Sequence, residues 1–372
     1  MGIMQKTVFV RDLSPKDDLN DLFFVKYIAV MESRDGRQYL NVVLSDSSGD
    51  IEARKWSGAP KVADQVSRGD YVKVSGKVNL YQGRLQLIIN DVIKVDAQQV
   101  SVEDYVSKSE NEPSKMFDEL VNLVDGLEDV YIRDLLKNVL FDSEISRRLL
   151  TWQAGKTIHH AYQSGLLEHV LSCANLGRTL SSHYRVNASY VVAGCVLHDL
   201  CKVFELSEGP MVEYTDEGKL VGHLVKGVEM VEHYASKIRG FPHAMKLHLK
   251  HILLSHHGEY EYGSPKIPQT SEAYLVHLID LMDSKMNSME TIKKNDNNQG
   301  AWSGFVKHLD RIVYKEELPT YNGYLPTESA GPQENPAPRE QSRRPGRDKG
   351  ELKQNLGSLL KDFSVAQEGE EE

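Results

Sequence analysis

Cysteine is scarce in this chain. The three present among 372 residues, Cys173, Cys195 and Cys201, lie in apolar stretches and none belongs to a C-x-x-C pair. That excludes a disulfide framework and a zinc ribbon, and it leaves reduced, buried thiols. Long apolar runs are missing too, since no stretch approaches the roughly 18 residues that a membrane span needs. The opening residues, MGIMQKTVFVRDL, lack the charged, apolar and small segments of a signal peptide, and Lys6 stands where a myristoylation signal has Ser or Thr. No membrane partner is expected, and the expected location is cytoplasmic. An excess of positive charge is also absent. The net charge of −10 argues against a basic coat for duplex DNA. Residues 1–97 nevertheless hold 14 Lys and Arg against 13 Asp and Glu, so a local groove there can still be positive.

What is present reads as a multidomain α+β protein. With 40% hydrophobic and 26% charged residues the composition is that of a soluble globular chain, long enough for about two domains. From Phe23 to Val95, short alternating segments rich in Val, Ile, Tyr and Phe are bounded by Gly and Asp, as in FFVKYIAV, GDYVKVSGKV and LQLIINDVIKV. Period-two alternation between turn residues predicts strands, here a five-strand antiparallel meander. APKVADQVSRGD, between the third and fourth strands, is long enough for one short helix. Five strands with that insertion predict an OB-fold barrel over residues 1–97, a fold whose strand face often binds single-stranded nucleic acid. Its candidate stacking and phosphate-contacting residues are Tyr39, Trp56, Lys77, Tyr81 and Arg84.

Residues 98–115 read as a polar linker. From residue 116 the apolar residues recur at three and four, the mark of amphipathic helices, and this periodicity continues to about Leu309, giving an all-α domain over 116–318. Residues 319–372 contain PTESAGPQENPAPREQSRRPGRDKGE, which is rich in Pro, Gly, Ser and charge, and are predicted to be disordered. The short amphipathic patch LKQNLGSLLKDF within that tail is a candidate for binding a partner.

The helical section holds most of the 14 histidines. They fall in IHHAYQSGLLEH, LHDLCK, GHLVKG and LLSHHGEYEYGSPKIP, followed by an aspartate in EAYLVHLIDLMDSKM. A single histidine on an apolar face is more often a packed core residue than a ligand, but recurrence in one setting reverses the odds. Imidazole nitrogen and carboxylate oxygen suit a divalent ion such as Mn²⁺, Fe²⁺ or Zn²⁺, and ligands spread over five helices can meet only inside a bundle. An adjacent His-Asp pair sends two ligands to one centre, and its aspartate can bridge two ions. Three residues beyond that pair comes Lys202. The Gly- and Pro-containing loop after His257 offers Tyr260 and Tyr262 for stacking on a base.

The order His, His-Asp, His, His-His, Asp resembles the HD-domain superfamily of metal-dependent phosphohydrolases. The resemblance implies that His169, His198, Asp199 and Asp280 hold a metal, and that His223, His256 and His257 correspond to the extra histidines of members with a second ion. Lys202 falls where some HD subfamilies carry a lysine near the scissile phosphate. His160 is expected to position substrate or protonate the leaving oxygen, and His159 to pack. With the barrel in front, residues 5–315 resemble the YhaM family of 3′-5′ exoribonucleases. That implies a metal-dependent hydrolase that releases nucleoside 5′-monophosphates from single-stranded RNA, and from single-stranded DNA in some cases. Mn²⁺ is the ion expected, one or two per chain, with Fe²⁺, Mg²⁺ and Zn²⁺ as alternatives; a homo-oligomer is a further expectation from the family. Two other functions compete: an HD phosphohydrolase acting on a dNTP, cyclic dinucleotide or alarmone, and a non-catalytic nucleic-acid-binding protein. The first leaves the barrel without a task, and the second predicts missing ligands where none is missing.

Overall fold

The structure, a computed structural model, describes residues 3–156, 160–296 and 300–319. The expectations for His159 and for the tail beyond Pro319 lie outside the described residues. Strands β1 (Asp18–Glu32), β2 (Gln38–Asp46) and β3 (Gly49–Lys55), helix α1 (Ala59–Ala63), and strands β4 (Tyr71–Tyr81) and β5 (Arg84–Val95) form a closed barrel in the order β1-β2-β3-β5-β4. The meander expected from sequence is therefore corrected. Crossing by way of α1 brings β4 back beside β1, antiparallel from Phe24↔Tyr71 to Asp18↔Lys77, and leaves β5 to pair in parallel with β3 at Ala53↔Leu87. β1 can serve two neighbours because it is 15 residues long and its pairing with β2 shifts register between Val25 and Tyr27. Phe23, Leu40, Leu44, Val72 and Leu87 fill the interior.

A strap of residues before β1 is tied to the barrel by Asp21. Its Oδ2 accepts from the Thr7 amide at 2.9 Å, the Thr7 hydroxyl at 2.8 Å and the Val8 amide at 2.6 Å, while Oδ1 accepts from the Leu22 amide at 2.7 Å. The predicted polar linker is also packed: Val100 and Tyr105 are buried, and the Tyr105 ring lies 4.8 Å from that of Tyr71.

The helical part runs through α2 (Pro113–Asp125), α3 (Val130–Leu140), α4 (Ser143–Leu149), α5 (Gly165–Tyr184), α6 (Ala188–Leu197), α7 (Lys202–Glu205), α8 (Asp216–Leu220), α9 (Gly222–Ser236), α10 (His243–Ser255) and α11 (Ser271–Asn295). Helicity stops at Asn295 rather than Leu309. The Asn- and Asp-rich sequence that follows favours turns, and beyond it Trp302↔Tyr314 and Val306↔Arg311 make short antiparallel bridges. Central to this domain is α6, capped by the Asn187 side chain and buried from Val191 to Leu197. A Cβ at Gly194 would sit 2.6 Å from Ile252 and 2.7 Å from Val276, so glycine sets how closely α6 crosses α10 and α11. Those crossings bring the C-terminal ends of α6 and α10, with His198 and His256, to the middle of α11, where Asp280 lies. Arg68 of the barrel reaches the helical part through Glu213, at 2.8 Å, and Glu213 also pairs with Lys156.

Removing the Asp21 carboxylate leaves the buried Leu22 amide and the part-buried Thr7 and Val8 amides without this acceptor. Asp21→Ala is expected to cost on the order of 1–3 kcal/mol in urea unfolding of the full chain. Burial opposes ionisation of this carboxyl, but its hydrogen bonds with Leu22, Thr7 and Val8 hold its pKa below the ordinary 3.8. The unfolded chain therefore takes up this proton first. Asp21 should stabilise fully above about pH 4, and the gap between wild type and Asp21→Ala should close as pH falls through the lowered folded pKa.

Candidate metal centre

Five helices converge on one buried cluster. His169 lies on α5 and is fully buried, His198 and Asp199 follow the last turn of α6, His223 opens α9, His256 and His257 follow α10, and Asp280 lies on α11. α5 starts abruptly: a Cβ at Gly165 would come within 2.1 Å of the His160 carbonyl oxygen, so glycine lets the loop before the helix fold tightly against it.

The cluster has two halves that share Asp199. On one side, ligand atoms of His169, His198, Asp199 and Asp280 lie within 4.8 Å of one another. Asp199 Oδ2 stands 3.5 Å from His169 Nε2 and 3.6 Å from His198 Nε2, and Asp280 Oδ1 stands 3.5 and 3.7 Å from the same two nitrogens. On the other side are His223, His256 and His257. Here Asp199 presents its second oxygen, Oδ1, 3.5 Å from His223 Nε2 and 3.7 Å from His256 Nε2. One carboxylate thus offers one oxygen to each half, the geometry of a bridging ligand.

Every histidine of the cluster is held through Nδ1. His198 Nδ1 meets the Cys195 carbonyl at 2.9 Å, His256 Nδ1 the Leu253 carbonyl at 2.7 Å, and His257 Nδ1 the Tyr262 carbonyl at 3.0 Å. His169 Nδ1 meets Asp283 Oδ2 at 2.7 Å and His223 Nδ1 meets Glu205 Oε2 at 2.9 Å. Carbonyl and carboxylate oxygens only accept, so each Nδ1 carries the proton and each Nε2 turns a lone pair inward. The buried Nε2 atoms of His223 and His256 have no hydrogen-bond partner. Those of His169 and His198 face each other at 3.1 Å, which requires a proton or a cation between them. The two orphaned Nε2 atoms of His223 and His256, the facing pair of His169 and His198, and the carboxylates between them fit divalent cations with mixed N and O donors.

The electrostatics agree. Burial opposes ionisation of Asp199, yet Lys202, His198, His169 and His256 hold its pKa well below the carboxylate range. Asp280 is likewise held low against burial, by His169 and His198. Burial pulls His257 down to about 4, so it is neutral and able to donate its lone pair at pH 7. Lys202 Nζ donates to Asp199 Oδ2 at 2.6 Å, and Asp199 keeps the ammonium charged despite its burial.

His160, expected to position substrate or to act as an acid, is buried with both ring nitrogens engaged: Nε2 with Asp283 Oδ2 at 2.9 Å and Nδ1 with the Tyr162 hydroxyl at 2.9 Å. Tyr260 and Tyr262 are exposed on the loop after His257. On the barrel, Trp56 packs on Tyr39 with centroids 4.9 Å apart, and the Arg54 guanidinium lies 5.5 Å from the Tyr39 ring and 5.4 Å from that of Tyr81. Arg84 is opposite Tyr81 in the register, whereas Lys77 pairs with Asp18 at 3.8 Å. The sequence reading missed Arg54, Glu205 and Asp283. Asp283 had a signal, since it follows Asp280 by three residues on one helix and so lies on a neighbouring face.

The fold and the cluster define an HD-type hydrolase carrying an N-terminal nucleic-acid-binding barrel. Residues 26–95 match the family of OB-fold nucleic acid binding domains and residues 166–285 match the HD domain family. The 3′-5′ exoribonuclease YhaM of Halalkalibacterium halodurans is 33% identical over 301 residues, which cover 80% of this chain and 92% of that protein. The chain therefore belongs to the YhaM family of 3′-5′ exoribonucleases. Among solved structures, the second OB-fold domain of replication protein A from Methanococcus maripaludis is 20% identical, with a TM-score of 0.21, over 24% of this chain and 94% of that one. The protein PriB from Ralstonia solanacearum is 16% identical, with a TM-score of 0.19, over 21% of this chain and 97% of that one. Among the described residues, no helix is long and apolar enough to cross a membrane.

If Asp199 serves both halves, Asp199→Ala should lower Mn²⁺ uptake at both, whereas His256→Ala should spare the half built on His169 and His198. Equilibrium dialysis followed by metal analysis checks this, with more ion retained by His256→Ala than by Asp199→Ala.

Proposed function

We propose that the chain hydrolyses single-stranded RNA one nucleotide at a time from the 3′ end and releases nucleoside 5′-monophosphates, with single-stranded DNA as a second substrate. The observation that carries this reading is the division of the Asp199 oxygens between two sets of inward-facing Nε2 atoms, in a chain that also carries a nucleic-acid-binding barrel. Bound divalent ions, Mn²⁺ by our reading, supply activation of a water and neutralise charge building on the phosphate oxygens. His169, His198, Asp199 and Asp280 would hold one ion, and Asp199, His223, His256 and His257 the other.

The chain's own residues do the rest. Lys202 supplies a fixed positive charge at the edge of the cluster, and we place it beside the scissile phosphate. Buried and held on both nitrogens, His160 acts in this reading through Asp283 rather than as a proton donor to the leaving oxygen. Tyr260 and Tyr262 offer exposed rings to the terminal base. Tyr39, Trp56 and Tyr81, gathered by Arg54, form a stacking surface for the incoming strand, with Arg84 as an adjacent phosphate contact.

The test uses RNA labelled at the 5′ end, incubated with the full chain and Mn²⁺. A ladder shortening by single nucleotides from the 3′ end, absent with His198→Ala/Asp199→Ala, is expected. Inert RNA together with phosphate release from free nucleotides would instead identify a small-nucleotide hydrolase. Trp56→Ala should weaken binding of a long single strand about 10- to 100-fold, the equivalent of roughly 1–3 kcal/mol per stacked base. Turnover of a short model diester should be unchanged by that substitution.

A further inference from the structure

The five histidines of the cluster are not anchored alike. His198, His256 and His257 direct Nδ1 to backbone carbonyls, and only His169 and His223 direct it to carboxylates. The two exceptions fall one in each half of the centre. Neither carboxylate is a surface group that happens to lie within reach. Asp283 accepts from His169 Nδ1 at 2.7 Å, from His160 Nε2 at 2.9 Å and from the Ser172 hydroxyl, and it is buried. His160 is fixed in turn by the Asn287 side chain, which accepts from its backbone amide at 2.9 Å, and by Tyr162 at Nδ1. Glu205 accepts from His223 Nδ1 through Oε2 at 2.9 Å, and its Oε1 lies 3.4 Å from the His223 amide nitrogen, so it grips both the ring and the backbone where α9 begins. Asp283 is thus oriented by His160 and Ser172 independently of His169, whereas Glu205 is aligned by its two-point grip on His223 itself.

An anionic acceptor at Nδ1 fixes the tautomer more firmly than a carbonyl does and makes the opposite nitrogen a stronger donor. We infer that Asp283 and Glu205 are positioning residues, each serving one ion: Asp283 sets His169 for the ion shared with His198 and Asp280, and Glu205 sets His223 for the ion shared with His256 and His257. This rests on the two-ion reading of the centre given above. It makes the two halves separately adjustable, because the carboxylates sit on different helices, α11 and α7, and share no histidine.

The test is a pair of double-mutant cycles read as Mn²⁺ affinity of the full chain, with the folded state of every variant checked by circular dichroism. Asp283→Ala and Glu205→Ala should each weaken uptake of one ion by about 10- to 100-fold. Asp283→Ala should add little on top of His169→Ala, and Glu205→Ala little on top of His223→Ala. The crossed pairs, Asp283→Ala with His223→Ala and Glu205→Ala with His169→Ala, should lose affinity additively. Long-range ¹⁵N–¹H correlation spectra of the metal-free protein give an independent readout. Among the five histidines of the cluster, Glu205→Ala should mix the tautomers of His223 alone and Asp283→Ala those of His169 alone, with His160 responding to Asp283→Ala as well because Asp283 holds its Nε2, while His198 and His256 keep their Nδ1–H form. Glu205→Gln, whose amide oxygen can still accept, should recover most of the His223 behaviour. Additive losses in the matched pairs, or unchanged tautomers, would overturn the inference while leaving two ions in place. One Mn²⁺ per unaltered chain would overturn the two-ion reading, and the Glu205 assignment with it.

Discussion

A carboxylate in the middle of an apolar helix bundle is tolerable only if every lone pair has a positive or hydrogen-bonding partner, and Asp199 imposes that demand on the helical domain. Its oxygens face different ways, and meeting both requires groups from α5, α6, α9 and α10 to arrive within a few ångström of one point. The glycine at 194 and the buried flank of α6 serve that convergence, since a wider crossing would pull His256 and Asp280 away from the carboxylate. Lys202, on the turn after the His-Asp pair, supplies the opposite charge from within the same segment. Packing and chemistry are thus the same constraint here. The apolar run leading into Asp199 makes the helix central, and only a central helix can carry a ligand pair to the meeting point.

Much of this could be read from the sequence because the informative residues break a pattern. His198 and Asp199 interrupt an apolar run, and His169, His223, His256 and Asp280 lie in or beside apolar helical runs. The switch of period from two to between three and four divided barrel from bundle. What could not be read was anything that depends on angle or partner. The return of β4 to β1 follows from the path through α1 and the coiling of a long strand, neither of which alternation encodes. Arg54 is invisible in sequence because it looks like any strand arginine until Tyr39 and Tyr81 are brought beneath it. Glu205 and Asp283 were missed for a related reason: an acidic residue at a helix end, as Glu205 is, or in the middle of a long polar helix, as Asp283 is, usually faces solvent, and only the third dimension places a histidine Nδ1 against it. His160 illustrates the reverse, a histidine whose company suggested acid chemistry and whose two ring nitrogens are both engaged, by Asp283 and Tyr162.

The barrel and the bundle are joined by more than a connector. The segment after β5 buries Val100 and Tyr105 against the barrel before α2 begins, so the path from strand to helix is fixed by packing. Glu213, between Arg68 and Lys156, adds a charged contact across the junction. Exposed pairs of this kind contribute little stability, but they do select an orientation. The aromatic face of the barrel therefore stands before a helical domain whose attitude is set.

His198 and His256 occupy the closing positions of α6 and α10, and each turns its Nδ1 back to a carbonyl of the last turn. These two histidines are therefore also the stoppers of their helices, supplying donors where carbonyls run out of partners. A cation held at their Nε2 atoms would polarise the rings and strengthen the Nδ1–H bonds to those carbonyls. Its binding would then be felt along the backbone, as a tightening of two helices that pack against each other through Gly194. The residues that point into the cluster are, in this chain, also part of the secondary structure's punctuation.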